Sequence, residues 1–329
     1  MPQTFAAADA IELAVVERSG FVESRHSGLA LVLAADGTVA EKLGDPSALV
    51  LPRSSLKPLQ ALACLSAGVT LEGERLGLAT ASHSGTDRHV AVVRDILSLA
   101  QLGEDHLACP PAWPGDTATR DELVRELGQP ARIRMNCSGK HATMLLTSAV
   151  NGWDPEGYLS PQHPVQVLIR ETIERLIGEK VAATAVDGCG APVYAMTLFG
   201  LARAIHRIGT SSTTSPFALH RSAGALVEAV RDAPWTIDGP GRPDTVVIER
   251  LGVFAKGGAE GVMVMVAPNG TTVALKMLDG SGRAATAVAL RLLERHGALA
   301  SADVADAMSR LPLTVSGGGQ DVGAIRPAF

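Results

Sequence analysis

Apolar positions along this chain change period more than once, and the changes divide it. Ile11 to Val16 and Leu29 to Leu33 are short β-rich runs, and Asp36-Gly37 ahead of Thr38-Val39-Ala40 predicts a hairpin. Beyond Pro52 the spacing lengthens. Leu56, Leu59, Ala63 and Cys64 share one helical face, with Pro58 tolerated in the first turn. Further helices are predicted from a cap at Asp87 to a stop at Gly103, from Pro164 to Ile177 with Gly178 as the stop, and over Leu219 to Val230. Then the short period returns. Thr245 to Ile248 and Gly261 to Ala267 predict strands, Pro268-Asn269-Gly270 a hairpin turn, and Thr272 to Met277 its second arm. An apolar-faced helix over Ala284 to Arg295 follows. This order predicts an α/β sheet domain built from both chain ends, residues 1–52 plus 235–329, with a mainly helical domain inserted at 53–234.

Composition narrows the function classes. Hydrophobic residues at 46% against 19% charged describe a chain with a substantial core. Aromatics at 3% and a net charge of −5 argue against a base-stacking face or a phosphate-backbone partner, so no nucleic acid is expected. No apolar run reaches the roughly 18 residues of a membrane span, so no membrane partner is expected. The first residues lack a basic stretch leading into an apolar one, and the four cysteines are scattered. The expected compartment is a reducing cytoplasm.

Five polar clusters carry the candidate chemistry. Ser54 stands three residues ahead of Lys57 at a predicted helix start, a spacing that lets an amine approach a hydroxyl and act as its base. Ala81-Ser82-His83-Ser84-Gly85 places Ser82 at the end of an apolar run, where catalytic groups sit but where Ser and Gly also simply suit turns. Asn136-Cys137-Ser138-Gly139-Lys140-His141 packs a thiol, an amine and an imidazole together. Either an activated thiolate or an inert, buried cysteine at a helix start fits it. Asp187-Gly188-Cys189-Gly190 is a glycine-flanked turn with an acid and a second thiol, which with Cys137 can offer two soft ligands to zinc. Lys256, in the glycine-rich Ala255-Lys256-Gly257-Gly258, either lines a cleft at a strand edge or is an ordinary solvated lysine.

Taken jointly and in order, these motifs resemble the Rhizobium-type L-asparaginases, the asparaginase II or class 3 family. The segments that carry the resemblance are Arg53-Ser54-Ser55-Leu56-Lys57-Pro58-Leu59-Gln60, Ala81 to Ser84 with Asp87-Arg88-His89, Asn136 to His141, Asp187-Gly188-Cys189, and Lys256. The resemblance implies a fold like the serine β-lactamases and penicillin-recognising enzymes and a homodimer. It also implies two Ser-Lys pairs, Ser54 with Lys57 and Ser82 with Lys256, and a zinc-binding position at Cys137, Lys140 and Cys189. Ser316-Gly317-Gly318-Gly319 departs from the asparagine-containing turn expected there.

The implied chemistry is hydrolysis of L-asparagine to L-aspartate and ammonia through a serine acyl-enzyme, with an amino acid as the small-molecule substrate. Ser54 is the expected nucleophile and Lys57 its base. Arg53, Asp187 and His141 are the candidate substrate contacts, Arg53 for an α-carboxylate and Asp187 for an α-ammonium. Two alternatives stay open. One is a broader serine amidase acting on glutamine or a β-lactam; the other is a non-catalytic zinc- or redox-binding protein acting through Cys137 and Cys189.

Overall fold

In the computed structural model, which describes residues 2–329, the two ends of the chain meet in one sheet. Its strands are β1 (Ile11–Arg18), β2 (Phe21–Leu33) and β3 (Val39–Leu43) from the first part of the chain. A smaller sheet takes β4 (Leu49–Val50), β5 (Ala183–Val186) and β6 (Pro192–Thr197). The later part returns β7 (Phe254–Gly258), β8 (Val262–Val266), β9 (Thr272–Met277), β10 (Thr314–Gly317) and β11 (Gln320–Pro327) to the large sheet. Its order is β10-β11-β1-β2-β9-β8-β7, with β3 also paired to β2, and the pairings are antiparallel. Residues 14 and 327 sit opposite each other in β1 and β11. The small sheet runs β4-β6-β5.

Strands β8 and β9 are buried at every position, which explains why their sequences are near-continuous Val, Met and Leu runs rather than alternating ones. The helices Leu198–Gly209 and Ala285–Arg295 both pack on them. The helical layer is centred on Lys57–Ser66, which is buried over Lys57 to Cys64 and packs against Pro164–Ile177, Ser138–Val150 and Ala218–Asp232. A polar residue at the start of such a helix is delivered into the interior. Among the described residues, no helix is long and apolar enough to cross a membrane.

Several elements match their sequence expectation closely. Pro164–Ile177 forms with Gly178 in the left-handed region at φ 66°, and Thr272–Met277 is a strand. Others differ for identifiable reasons. Thr245 to Ile248, expected as a strand, lies within the helix Pro243–Leu251. Its β-branched run mimics a strand, but Pro243 in the first turn, Asp244 beside it and Gly252 at φ 61° are helix punctuation. The helix after residue 86 is capped by Thr86, whose hydroxyl accepts the His89 N–H, and not by Asp87; it ends at Leu99, short of Gly103. The apolar run from Leu76 largely lies in the helix Gly73–Ala79, while β5, β6, β7 and the β10–β11 hairpin had no element expected for them.

Candidate active site

The turn that carries Ser54 is made by a break in regular structure. After β4 the backbone of Arg53 takes φ 51°, a left-handed conformation that costs a non-glycine residue of order 1–3 kcal/mol. A 3₁₀ turn over Arg53–Leu56 then runs into the helix at Lys57. Ser54 therefore lies in the 3₁₀ turn and Lys57 opens the α-helix, with the Lys57 N–H donating to the Ser54 carbonyl. The Ser54 hydroxyl is half-buried and has no hydrogen-bond partner among the described residues.

Lys57 is wholly buried, and its ammonium donates to the Ala81 carbonyl, to Ser82 Oγ at 2.9 Å and to the Asn136 carbonyl at 3.4 Å. The side-chain pairing thus differs from the expected one: the Lys57 ammonium bonds the Ser82 hydroxyl, and no hydrogen bond joins it to the Ser54 hydroxyl. A buried ammonium is drawn to fixed carbonyls, and those of Ala81 and Asn136 lie on the Ser82 side. Burial, with the positive charges of Lys140 and Lys256, lowers the Lys57 pKa to about 8, against the opposing influence of Cys137.

Lys256 is also buried, but it lies within β7, the edge strand of the large sheet, rather than beside Ser82 through a hydrogen bond. Its ammonium donates to the Gly257 carbonyl at 2.7 Å and to Asp244 Oδ2 at 3.4 Å. Strand β7 packs against the Arg53–Leu56 turn. The Ser55 hydroxyl donates to the Lys256 carbonyl at 3.0 Å, and a Cβ added at Gly258 would stand 2.6 Å from the Pro52 carbonyl oxygen. Glycine is required at 258 for that approach.

The two thiol clusters converge on the same place. Cys137 caps the helix Ser138–Val150, and Cys189 lies in the β5–β6 turn, where Gly190 has φ 88°. The Cys137 thiol donates to Asn136 Oδ1 at 3.2 Å, and the two cysteines influence each other's ionisation. The neighbouring Cys189 thiol, with the charges of Lys57 and Lys140, overcomes burial and holds Cys137 well below the usual thiol value, while Cys137 and burial push Cys189 up. Lys140 is buried too. Its desolvation is outweighed by Cys137, Cys189 and Asp187, so it stays protonated. Asp187 Oδ2 lies 3.9 Å from the Lys140 ammonium and accepts from Cys189 at 3.8 Å, while Asp187 Oδ1 accepts from Arg53 Nε at 2.7 Å. Burial disfavours the Asp187 carboxylate, but Lys140 and Arg53 prevail and its pKa is lowered. Arg53 and Asp187, expected to hold the two ends of an amino acid, are thus each other's partners here.

His141 belongs to the interior. It is fully buried, its Nδ1 accepts from the Tyr158 hydroxyl at 2.6 Å, and its Nε2 is buried without a partner. The Tyr158 hydroxyl accepts the Ala108 N–H, which leaves its own proton for His141. His83 ties the two halves of the site together. The Ser138 hydroxyl is committed as donor to the Ile133 carbonyl at 2.7 Å, so His83 Nε2–H donates to Ser138 at 2.9 Å and Nδ1 accepts the Gly85 N–H.

Lys57 thus joins Ser82, and Arg53, Asp187, Lys140 and Cys189 form a polar chain beside Cys137, while Ser54 lies in the turn just ahead of Lys57 and Lys256 behind that turn. A sequence model of the L-asparaginase II family matches residues 14–327. The chain belongs to the L-asparaginase II family. It is an asparaginase-like amidohydrolase. No curated protein sequence matches it. Among solved structures it is similar to a Bacillus glutaminase crystallised in the presence of 4.3 M NaCl, at 13% identity and a TM-score of 0.44, covering 83% of this chain and 92% of that one. It is also similar to Mglu, at 14% identity and a TM-score of 0.44, covering 83% of this chain and 68% of that one. Mglu in its tris and glutamate form gives 15% identity, a TM-score of 0.46, and coverage of 88% and 64%. The chain thus spans about two thirds of the Mglu chains it matches.

Sequence reasoning did not single out Asp244, Ser55 or Tyr158. For Asp244 a signal existed: Arg242-Pro243-Asp244 is a helix start, which brings an acid back onto the strand that carries Lys256.

Proposed function

We propose that the protein hydrolyses the side-chain amide of L-asparagine, giving L-aspartate and ammonia, through an acyl-enzyme. The hydrogen bond between Lys57 and Ser82 carries the reading, because it joins a hydroxyl to a buried amine whose pKa of about 8 lets it work as a base near neutrality. Deprotonated, Lys57 keeps two N–H bonds for the Ala81 and Asn136 carbonyls and turns its lone pair to Ser82. Ser54, its hydroxyl free at the mouth of a helix, attacks the amide carbon; its proton reaches Lys57 through the Ser82 hydroxyl. The same hydroxyl then protonates the departing ammonia, and water releases aspartate by the reverse relay. Backbone N–H groups at the start of the Lys57 helix supply donors for the oxyanion. Arg53 and Asp187 separate from each other to receive the substrate's α-carboxylate and α-ammonium.

A second reading makes Ser82 the nucleophile, favoured by its direct bond to Lys57. Ammonia release from asparagine and glutamine by wild type, Ser54→Ala and Ser82→Ala, with peptide mapping of the trapped acyl-enzyme, decides between them. Ser54→Ala is expected to lose at least about 100-fold in kcat and to carry no acyl group. A wild-type rate in Ser54→Ala moves the nucleophile to Ser82. Glutamine turnover exceeding that of asparagine replaces the substrate.

Among the described residues no group of three His, Cys, Asp or Glu side chains could hold a metal ion. Cys137 and Cys189 nevertheless offer two soft donors with the Asp187 carboxylate beside them, and Lys140, held protonated by these neighbours, would join them as a ligand only on losing its proton to the incoming cation. Cys137, Lys140 and Cys189 would hold the ion, and it would supply a Lewis acid next to the site. Elemental analysis of the purified protein measures its presence.

A further inference from the structure

Asp244 touches two consecutive residues of β7 with one carboxylate. It stands in the first turn of the helix Pro243–Leu251 and is 5% exposed. Its Oδ2 accepts the Gly257 N–H at 2.7 Å and faces the Lys256 ammonium at 3.4 Å. Strand β7 is an edge, so this N–H would otherwise be an open donor. Gly257 leaves the space: a Cβ there would lie 3.2 and 3.3 Å from the two carboxylate oxygens. From Lys256 the link continues, since its carbonyl accepts the hydroxyl of Ser55, the neighbour of Ser54.

We propose that Asp244 is a positioning residue for amide hydrolysis, fixing the Lys256 ammonium and, through β7, the nucleophile turn. The inference rests on the amidase reading of the site and adds to it a residue that acts through Lys256 without touching substrate. A second acid lies close, but it does not share the role. Asp238 is engaged by Arg242 Nε at 2.6 Å and makes no hydrogen bond to Lys256 among the described residues; burial and the charge of Asp244 push its carboxyl up. The carboxylate that Lys256 faces is that of Asp244.

Asp244→Asn is the informative change, because an amide oxygen still accepts the Gly257 N–H while the charge facing Lys256 is gone. The test compares Asp244→Asn, Asp244→Glu, Lys256→Met and the double variant Asp244→Asn/Lys256→Met in the full chain, by kcat and KM for asparagine and glutamine and by thermal melting. Asp244→Asn is expected to lower kcat about 10- to 100-fold with KM nearly unchanged. Asp244→Glu restores part of the loss. In the Lys256→Met background Asp244→Asn costs nothing further, and the melting shifts of the two single changes are non-additive. An unchanged kcat in Asp244→Asn overturns the inference, as does a loss that persists undiminished without Lys256. If the wild type releases ammonia from neither amide, the amidase reading falls, and the melting cycle alone judges the clamp: additive shifts overturn it as well.

Discussion

At the scale of single residues, the site turns on how a buried ammonium satisfies three N–H bonds. Lys57 places them on two carbonyls and one hydroxyl, and the hydroxyl is the only one of the three that can return a proton. Burial costs the charged form most, and the two neighbouring cations add to it, so the amine titrates near 8 instead of at its ordinary value of 10.5. In the proposed relay the reactive form is the neutral one. Turnover per unit of substrate should therefore climb nearly tenfold per pH unit below about 8 and level off above it. Ammonia release measured between pH 6 and pH 9.5 checks this. Lys57→Met removes the base while filling the same volume, and is expected to lower kcat at least about 100-fold with a far smaller change in melting temperature. A flat pH profile through 8, or a Met variant of undiminished rate, removes Lys57 from the proton path.

At the scale of elements, the Arg53–Leu56 turn owes its shape to the strand behind it. Gly258 admits the Pro52 carbonyl where a side chain would collide with backbone, which cannot swing aside as a side-chain tip can. Gly258→Ala should push β7 and the Arg53–Leu56 turn apart, costing about 1–3 kcal/mol of stability and lowering kcat more than it alters KM. Urea unfolding beside steady-state kinetics reads both; a variant with unaltered stability and kcat shows the contact to be slack. The same elements show what was legible beforehand. Pro164–Ile177 and Thr272–Met277 announce themselves, because their apolar period and punctuation agree. The clusters that form the site were legible as residue types in order. Their partners were not: Lys57 meets Ser82 instead of Ser54 because of where the Ala81 and Asn136 carbonyls come to lie, which no local pattern encodes. Asp244 was hidden by a β-branched run that reads as a strand when the proline before it is ignored. The strand β7 was hidden by Lys256-Gly257-Gly258, two of whose residues are poor strand formers chosen for close approach.

At the scale of the whole molecule, the site lies among buried neutral histidines, and they bind stability to pH. His83 and His89 stack with ring centroids 5.0 Å apart, and His89 bridges the Thr86 hydroxyl and the Trp235 carbonyl. Burial comes first in lowering both, each positive neighbour adding to it. His83 falls well below 6.5 and His89 to about 4, the Trp235 carbonyl opposing the latter. Between about pH 6.5 and pH 4 the unfolded chain binds a proton at His89 that the folded one refuses, so stability rises with pH across that window. The contribution is complete above 6.5 and gone near 4; the shift corresponds to about 3 kcal/mol for His89 alone. Asp187, whose pKa is lowered, acts in the same sense at lower pH, while Asp238, whose pKa is raised, opposes it. Urea unfolding at pH 7.5 and pH 5 should therefore show a clear loss in acid. His89→Gln gives up two hydrogen bonds and should be less stable than wild type at pH 7.5, yet its stability should fall less on going to pH 5. The His83 ring also joins the Ser82 segment to the Cys137 helix, and on protonation its Nδ1 can no longer accept the Gly85 N–H, so acid is expected to loosen that segment first. Turnover lost in acid should thus lead the loss of secondary structure, and a wild-type and His89→Gln pair with identical acid slopes would locate the sensitivity elsewhere.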